Sequence, residues 1–232
     1  MATRYSQARA KLADCAVHGP GSGAELILVE GDSAMHSVVA VRDDRLQAVL
    51  PLQGKPMNAW AASAAKVAQH ALFRQLGQAL GDDPEHATAA PAVTAPRFDR
   101  VLLLFDPDAD GIHIGALMLL YFQRWRPDLI DAGRVWMVRA PMFELALAAP
   151  PRDGSALETR HAYHPVQCRA MAAAMRDAAG GAKVRVQAHR GLGSIAPEVL
   201  RRLCVDPATR VAHAVGAGDV QAVIEVFGGA SA

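Results

Sequence analysis

The sequence contains few cysteines and no long apolar run. Its three cysteines, Cys15, Cys168 and Cys204, are odd in number, widely separated and without a CxxC pair. This pattern argues against a disulfide framework and a cysteine-based zinc site, and it predicts reduced thiols in a cytoplasmic protein. No run of about 18 apolar residues is present, so no membrane-spanning helix is predicted. The N-terminal residues also lack the apolar core of a secretory signal peptide.

A strong charge of either sign is absent as well. Lys and Arg number 24 against 23 Asp and Glu, which gives a formal net charge of +1. Residues 151–232 carry ten Lys and Arg against seven Asp and Glu, a mild basic excess that is compatible with a polyanionic partner. The apolar content of 51% is ample for one large domain, or for a core domain and a smaller one.

The most informative stretch is an apolar run that ends in three alternating aspartates. Residues 101–105 are continuously apolar, which predicts a strand buried on both faces. Asp106, Asp108 and Asp110 follow at once, and their carboxylates repel one another unless a cation lies between them. Oxygen ligands of this kind favour a hard divalent ion such as Mg²⁺. Residues 112–122 predict a helix after the acidic turn, which places the aspartates where α/β sheets bind ligands.

Other interpretations of the DPDADG segment compete with a magnesium site. An EF-hand calcium loop requires a glutamate at its twelfth position, which is Leu117 here. Phosphohexomutase metal loops resemble the segment, but they have arginine at the position of Gly111 and accompany a phosphoserine loop that we do not find. The hhhhDxD motif of haloacid-dehalogenase-type phosphatases is similar at its start, but Ala109-Asp110 does not supply the residue type that follows it there. The remaining alternative is a solvated acidic turn that holds no ion.

The rest of the chain alternates apolar strands with helical patterns. Residues 25–29 predict a strand that ends at Glu30, just as the later strand ends at Asp106. We expect an α/β fold, a mainly parallel sheet flanked by helices, with Glu30 and Asp106 at adjacent strand ends. Further strands are predicted over 47–52, 134–139 and 184–187, helices over 60–80, 165–178 and 197–204, a loop over 81–97 and a connection over 146–160. The predicted division is a lead-in (1–23), a core domain (24–145) and a C-terminal α+β extension (146–232).

Several segments together resemble one known family. EGDSA follows the first strand, DxDxDG follows the later one, and KLADC (11–15) and QAVLPLQGKPMNA (47–59) accompany them. DAGRVWMVRAPMFEL (131–145) and HRGLGSIAPEVLRRLCVDPATR (189–210) come later in the chain. In this order the segments are similar to the Toprim region of type IIA topoisomerase B subunits, those of gyrase and topoisomerase IV. The resemblance covers nearly the whole chain and implies the Toprim fold.

The resemblance also implies a metal site. Glu30, Asp106, Asp108 and Asp110 are expected to hold Mg²⁺ against the scissile phosphate of DNA. Mn²⁺ is an alternative ion, and Ca²⁺ is expected to bind without supporting catalysis. Glu30 is further expected to act as general acid and base on the 3′-oxygen as the strand is cut and resealed.

Contacts to the DNA backbone are implied in the same way. The expected DNA-binding residues are Lys55, His113, Arg190, Gly191 and Gly193. An ordinary surface charge is the alternative for Arg190, and a helix-capping or core position is the alternative for His113. The sequence also departs from the family pattern, because Met35 and His36 stand where two glycines usually follow EGDSA.

Neither an ATP-binding module nor a domain with a nucleophilic tyrosine is recognised. The resemblance therefore implies DNA as substrate and two partners, an ATPase subunit and a tyrosine-bearing breakage-reunion subunit. The first hypothesis is a Toprim subunit of a type IIA-like topoisomerase that cleaves and religates DNA only in complex. The alternatives are a stand-alone Toprim nuclease or nucleotidyl transferase, and a non-catalytic regulator that binds DNA or a topoisomerase.

Overall fold

The computed structural model describes residues 11–81, 96–148 and 159–227. The strands in these ranges are β1 (Glu25–Val29), β2 (Gln47–Pro51), β3 (Arg100–Leu103), β4 (Val135–Val138), β5 (Phe143–Leu147), β6 (Thr159–Ala162), β7 (Val184–Ala188) and β8 (Ala212–Ala214). The helices are α1 (Asp32–Val39), α2 (Ala64–Gln69), α3 (Ala71–Leu80), α4 (Ala109–Trp125), α5 (Pro127–Asp131), α6 (Pro165–Ala178), α7 (Pro197–Leu200) and α8 (Ala217–Phe227). None of these helices is long and apolar enough to cross a membrane.

A mainly parallel sheet forms the centre of the fold, which confirms the predicted α/β class. Its strand order is β2-β1-β3-β4-β8, and β8 alone is antiparallel to its neighbour. Successive strand residues point to opposite faces. Leu26 and Leu28 accordingly pack in the cluster that contains α3 and α4, whereas Ile27 and Val29 pack with α1 on the other face. Because both faces are buried, β1 and β3 are apolar after their first residues, Glu25 and Arg100, and these apolar runs are the pattern that predicted them.

A second, antiparallel sheet follows in the chain. Its strand order is β6-β5-β7, and α6 covers one of its faces. Leu145 of β5 packs there with Cys168 and Met175 of α6. After this sheet the chain returns to the first one, where β8 pairs with β4 and Val220 of α8 joins the main core cluster. The predicted boundary at residue 145 falls within β5, and the three-part division of the chain stays a prediction.

Some predicted elements differ in the structure. The single helix predicted over 60–80 is wrong, because His70 has an extended backbone that separates α2 from α3. The helix predicted over 197–204 is α-helical only to Leu200 and continues as a π-helical turn, Arg201–Val205. The connection predicted over 146–160 contains the end of β5 and the start of β6. Its residues 149–158, and residues 82–95 of the predicted loop, lie outside the described ranges.

Candidate metal and nucleic-acid site

Two carboxylates lie side by side at one edge of the central sheet. Glu30 directly follows β1, and Asp106 follows β3 after two further residues. β1 and β3 are parallel neighbours, with Leu28 opposite Leu103, and Leu104 N–H donates to the oxygen of Leu28 at 3.0 Å. The expected adjacency of these strand ends is therefore confirmed. This edge is where open α/β sheets bind ligands.

The acidic turn is shaped by the start of α4. Asp108 is the N-cap of the helix, and its Oδ1 accepts a hydrogen bond from Gly111 N–H at 2.9 Å. A Cβ at Gly111 would overlap the backbone oxygen of Asp106, so the turn requires glycine at this position for steric reasons. The spacing of the DxDxDG motif thus combines a helix cap with a close approach of the main chain.

The RGLG segment lies directly against the acidic turn. Leu192 N–H donates to Asp106 Oδ1 at 2.9 Å, and a Cβ at Gly191 would be 2.6 Å from Asp106 Oδ2. Gly193 faces α1, where an added Cβ would be 3.3 Å from Ser33 Oγ. Both glycines therefore have a packing role that the sequence did not indicate, and their contact with DNA stays a prediction.

The predicted basic residues occupy different positions around this edge. Lys55, on the loop after β2, forms an ion pair with Asp110 at 2.9 Å. Arg190 has an exposed position beside the acidic turn, and its backbone N–H donates to Ser194 Oγ at 3.1 Å. His113 is half-buried and stacks on Phe227 of α8, with ring centroids 5.2 Å apart. The stacking favours the structural interpretation of His113 over a phosphate contact.

Sequence reasoning did not single out one further ion pair at this edge. Asp32, the first residue of α1, lies 2.7 Å from Lys11 Nζ and accepts a hydrogen bond from Gln53 Nε2 at 2.8 Å. Lys11 and Asp32 both belong to the segments that carry the family resemblance, KLADC and EGDSA. Their presence in those motifs was the signal that could have identified them.

The carboxylates influence one another through their charges. Partial burial is the largest cause of the raised pKa of Glu30, and the charges of Asp106, Asp108 and Asp110 raise it further. Burial also raises the pKa of Asp106, although its hydrogen bond from Leu192 N–H opposes the effect. Asp110 has a lowered pKa because Lys55 donates to it. A cation at this edge would relieve the repulsion that Glu30 experiences.

The donor set fits Mg²⁺, with some rearrangement of side chains. All four groups offer carboxylate oxygens, and Mg²⁺ commonly binds one or two carboxylates and keeps several waters. Within the described ranges no three of these four carboxylates approach within 4.8 Å of one another. Asp106, Asp108 and Asp110 each have a protein partner instead, and Asp108 and Asp110 are exposed enough to turn toward an ion.

The two described tyrosines are poor candidates for a nucleophile. Tyr121 is buried in α4 and stacks on Phe73, with ring centroids 4.4 Å apart. Burial raises the pKa of Tyr163, which opposes formation of a phenolate. Tyr5 lies outside the described ranges.

Comparison with known proteins agrees with the fold. The Toprim domain family matches residues 25–140, which is 116 of the 232 residues. The DNA gyrase B subunit of Thermus thermophilus is 33% identical over 221 residues, which cover 94% of this chain and 32% of that protein. The DNA topoisomerase 4 B subunit of Haemophilus influenzae is 34% identical over 200 residues, 86% of this chain and 29% of that protein. The chain thus spans about a third of the length of these relatives, and it belongs to the Toprim domain family.

Proposed function

We propose that this chain is the Mg²⁺-dependent Toprim component of a type IIA-like DNA topoisomerase. The observation that carries the proposal is the adjacency of Glu30 and Asp106 at two parallel strand ends, with Asp108 and Asp110 in the following turn. Similarity to the B subunits of gyrase and topoisomerase 4 over most of the chain supports the same function. In this function the protein supports cleavage and religation of DNA together with other chains.

Glu30 is the candidate general acid and base. A raised pKa increases the fraction of the carboxyl that is protonated at a given pH, so Glu30 can both give and accept a proton. Asp106 and Asp108 are the proposed direct ligands of the ion, and Asp110 orients it or holds a second one. The bound ion would polarise a phosphoryl oxygen and stabilise the leaving 3′-oxygen. Mn²⁺ is the expected substitute, and Ca²⁺ is expected to occupy the site without supporting the reaction.

The proposed DNA contacts surround these carboxylates. Arg190 is exposed next to Gly191, whose Cα faces Asp106, so its guanidinium can reach a phosphate near the ion. Lys55 is within 2.9 Å of Asp110 and can exchange this partner for a phosphate when Asp110 turns toward the ion. Gly191 and Gly193 are further candidates for backbone contact, although their Cβ positions face Asp106 and Ser33. His113 is the weakest candidate because Phe227 already covers its ring.

Two further activities of such a topoisomerase are proposed to come from partner chains. Neither described tyrosine is suited to attack a phosphate, because Tyr121 is buried and Tyr163 has a raised pKa. The proposal therefore includes a tyrosine-bearing breakage-reunion subunit as a partner, and it adds an ATPase subunit because the family resemblance implies one. Both are expected to co-purify with the protein when it is isolated from its own cells under mild conditions.

Covalent trapping of cleaved DNA tests this proposal. The isolated complex is incubated with supercoiled DNA and Mg²⁺, denatured with detergent and assayed for DNA linked to protein. We expect Mg²⁺-dependent adducts that disappear with Glu30→Gln and with Asp106→Asn, because each change removes a proposed catalytic or ligand oxygen. Asp177→Asn, an exposed change on α6, is the matched control and should leave the yield of adducts unchanged.

The same assay distinguishes the alternatives. Breaks with free ends, made by the purified chain alone and lost with Glu30→Gln, would replace the proposal with a Toprim nuclease. Unchanged adducts with both variants would leave the acidic edge without a catalytic role and would contradict the proposal.

A further inference from the structure

Three potential metal ligands meet on one face of the second sheet. Glu144 of β5 is directly opposite His161 of β6 in the antiparallel register. His189 directly follows β7, and its backbone N–H donates to the oxygen of Met142 at 2.8 Å. Met142 and Glu144 are two residues apart and so share a face, whereas Leu145 packs on the opposite face against α6. One ligand atom from each of Glu144, His161 and His189 lies within 4.8 Å of the other two.

The ring of His189 is oriented as in a metal-binding histidine. The residue is only 8% exposed, and its Nδ1 is 3.3 Å from the backbone oxygen of Ser194. A carbonyl oxygen only accepts hydrogen bonds, so the proton of the neutral ring lies on Nδ1 and the lone pair on Nε2. Nε2 is buried and has no hydrogen-bond partner. Metal ligands commonly show this arrangement, in which a backbone carbonyl holds one ring nitrogen and the ion takes the other.

His161 presents a second buried nitrogen without a partner. Its Nδ1 is buried and makes no hydrogen bond, although Glu144 and His189 are its neighbours. A buried polar atom that is left unpaired costs about 1–3 kcal/mol. Two such atoms, in two histidines that lie together with a carboxylate, indicate a cluster that is able to bind a ligand.

We propose that Glu144, His161 and His189 bind a divalent transition-metal ion, with Zn²⁺ as the best match. Two imidazoles and one carboxylate are a known zinc ligand set, in which water takes the fourth position. Imidazole nitrogen favours Zn²⁺ over Mg²⁺, which prefers oxygen ligands and is therefore expected to stay at the acidic edge. This site shares no ligand with the acidic edge, and its proposal does not depend on the proposed function.

Arg202 contacts His161 in the metal-free protein and disfavours binding of a cation. Its Nη2 lies 3.4 Å from Nε2 of His161. A guanidinium only donates, so this contact places the proton of His161 on Nδ1. If the ion takes Nδ1, the proton must move to Nε2 and Arg202 must turn away; if the ion takes Nε2, it displaces Arg202 directly. Arg202 is exposed and can turn into solvent, but its positive charge lowers the affinity for a cation in either case.

A second cluster of possible ligands lacks these features. Asp14, Cys15 and His18 also offer atoms within 4.8 Å of one another. Their atoms already have partners: Cys15 Sγ donates to the oxygen of Val17 at 3.2 Å, and Asp14 pairs with Arg97 at 2.7 Å and with His18 at 2.8 Å. Burial also raises the pKa of the Cys15 thiol, which disfavours the thiolate that a metal requires. This cluster therefore serves as the comparison site in the experiment.

Zinc titration of the full chain, free of any histidine tag, tests the proposal. The protein is treated with chelator, and Zn²⁺ affinity is measured by competition with a chromophoric chelator in the presence of excess Mg²⁺. We expect one tight equivalent of Zn²⁺ per chain. His189→Gln, His161→Gln and Glu144→Gln should each lower the affinity by about 100-fold or more, since outer partners of metal ligands already contribute about 10- to 100-fold. His18→Gln should leave the affinity unchanged.

Unlike the ligand variants, Arg202→Gln should raise the affinity for Zn²⁺. It removes the positive charge and, when the ion takes Nδ1, also supplies an amide oxygen for the N–H on Nε2 of His161. Substitution of Co²⁺ for Zn²⁺ should give the visible absorption of a four-coordinate site, and His189→Gln should abolish it. Circular dichroism of each metal-free variant shows that it is folded, and Glu144, which is only half-buried, gives a ligand variant with little risk to the core.

Three results would overturn the proposal. These are the absence of stoichiometric Zn²⁺ binding, equal affinity of the wild type and the folded Glu144→Gln variant, and loss of binding with His18→Gln alone.

Discussion

At the scale of single residues, two glycines one turn apart on α4 have different neighbours. A Cβ at Gly111 would overlap the backbone oxygen of Asp106, whereas a Cβ at Gly115 would first meet the flexible Met137 Cε at 3.4 Å. Gly111→Ala should therefore destabilise the protein by about 3 kcal/mol, near the upper end of overpacking costs. Gly115→Ala should be neutral or stabilising, because alanine favours a helix by about 1 kcal/mol over glycine. Urea denaturation of both variants measures the difference.

A comparable loss of stability in the two variants would contradict this prediction. It would mean that the contact with the backbone oxygen of Asp106 is not the reason why α4 requires glycine at position 111.

The residues of the acidic edge could be predicted because their signal is local. Glu30 and Asp106 each follow a continuous apolar run. Because the carboxyl ends of parallel strands lie at the same edge of a sheet, the two residues are expected at that edge. The partners of these residues could not be predicted, because they come from distant parts of the chain. Leu192, for example, donates to Asp106 across 86 positions. The stack of His113 on Phe227 likewise depends on where α8 packs, and no short sequence pattern encodes that position.

At the scale of elements, Asp108 has two roles at the start of α4, as the helix N-cap and as a proposed ligand of the ion. Asp108→Asn retains an oxygen for Gly111 N–H and removes the charge, so the metal-free protein should keep nearly its original melting temperature. Asp108→Ala also removes the cap and should cost about 1 kcal/mol. Millimolar Mg²⁺ should raise the melting temperature of the wild type by mass action and should have a smaller effect on both variants.

Thermal unfolding in chelator and in Mg²⁺ separates these two roles of Asp108. An equal Mg²⁺ shift in the wild type and in Asp108→Asn would contradict the assignment of Asp108 as a ligand. Equal stability of the Asn and Ala variants in chelator would contradict the cap.

Strands were easier to predict than helix ends. Beyond their first residues, Glu25 and Arg100, β1 and β3 are continuously apolar because helices cover both faces of the sheet. Residues 60–80 contain no proline and show helical periodicity, yet the chain leaves the helix at His70, whose ring lies 5.0 Å from that of Phe73. Tertiary packing overrides helix propensity there. β8 has only three residues, too few for a periodic signal, and it was not predicted.

At the scale of the whole molecule, a buried ion pair joins the first strand to the C-terminal part of the chain. Arg210 donates to both carboxylate oxygens of Glu25, at 2.6 and 2.7 Å, and both side chains are almost fully buried. Gln47 also donates to Glu25, at 2.9 Å. Arg210→Met leaves this buried carboxylate with only the partly exposed Arg100, 3.5 Å away, as a cationic partner, and should cost about 3 kcal/mol, the lower end for a broken buried pair. The double variant Glu25→Leu/Arg210→Met should recover much of this loss, because no buried charge remains unpaired.

Chemical denaturation of the single and double variants measures this coupling. Lys11→Met breaks an exposed ion pair with Asp32 and should change stability little, since water screens that pair. A double variant no more stable than Arg210→Met would indicate that Glu25 contributes through something other than its charge.

The late position of β8 and Arg210 has a consequence for synthesis of the protein. A nascent chain that has reached β4 already holds the strands around the acidic edge, but β4 is then an open edge strand. Glu25 also lacks its buried partner, Arg210, until residue 210 is made. Domains generally fold as units during translation, so this one cannot complete its sheet until β8 has been made. Interrupted translation would release a fragment in which the edge of β4 is open to aggregation. The segment that carries Arg210 and β8 is therefore required to protect this edge.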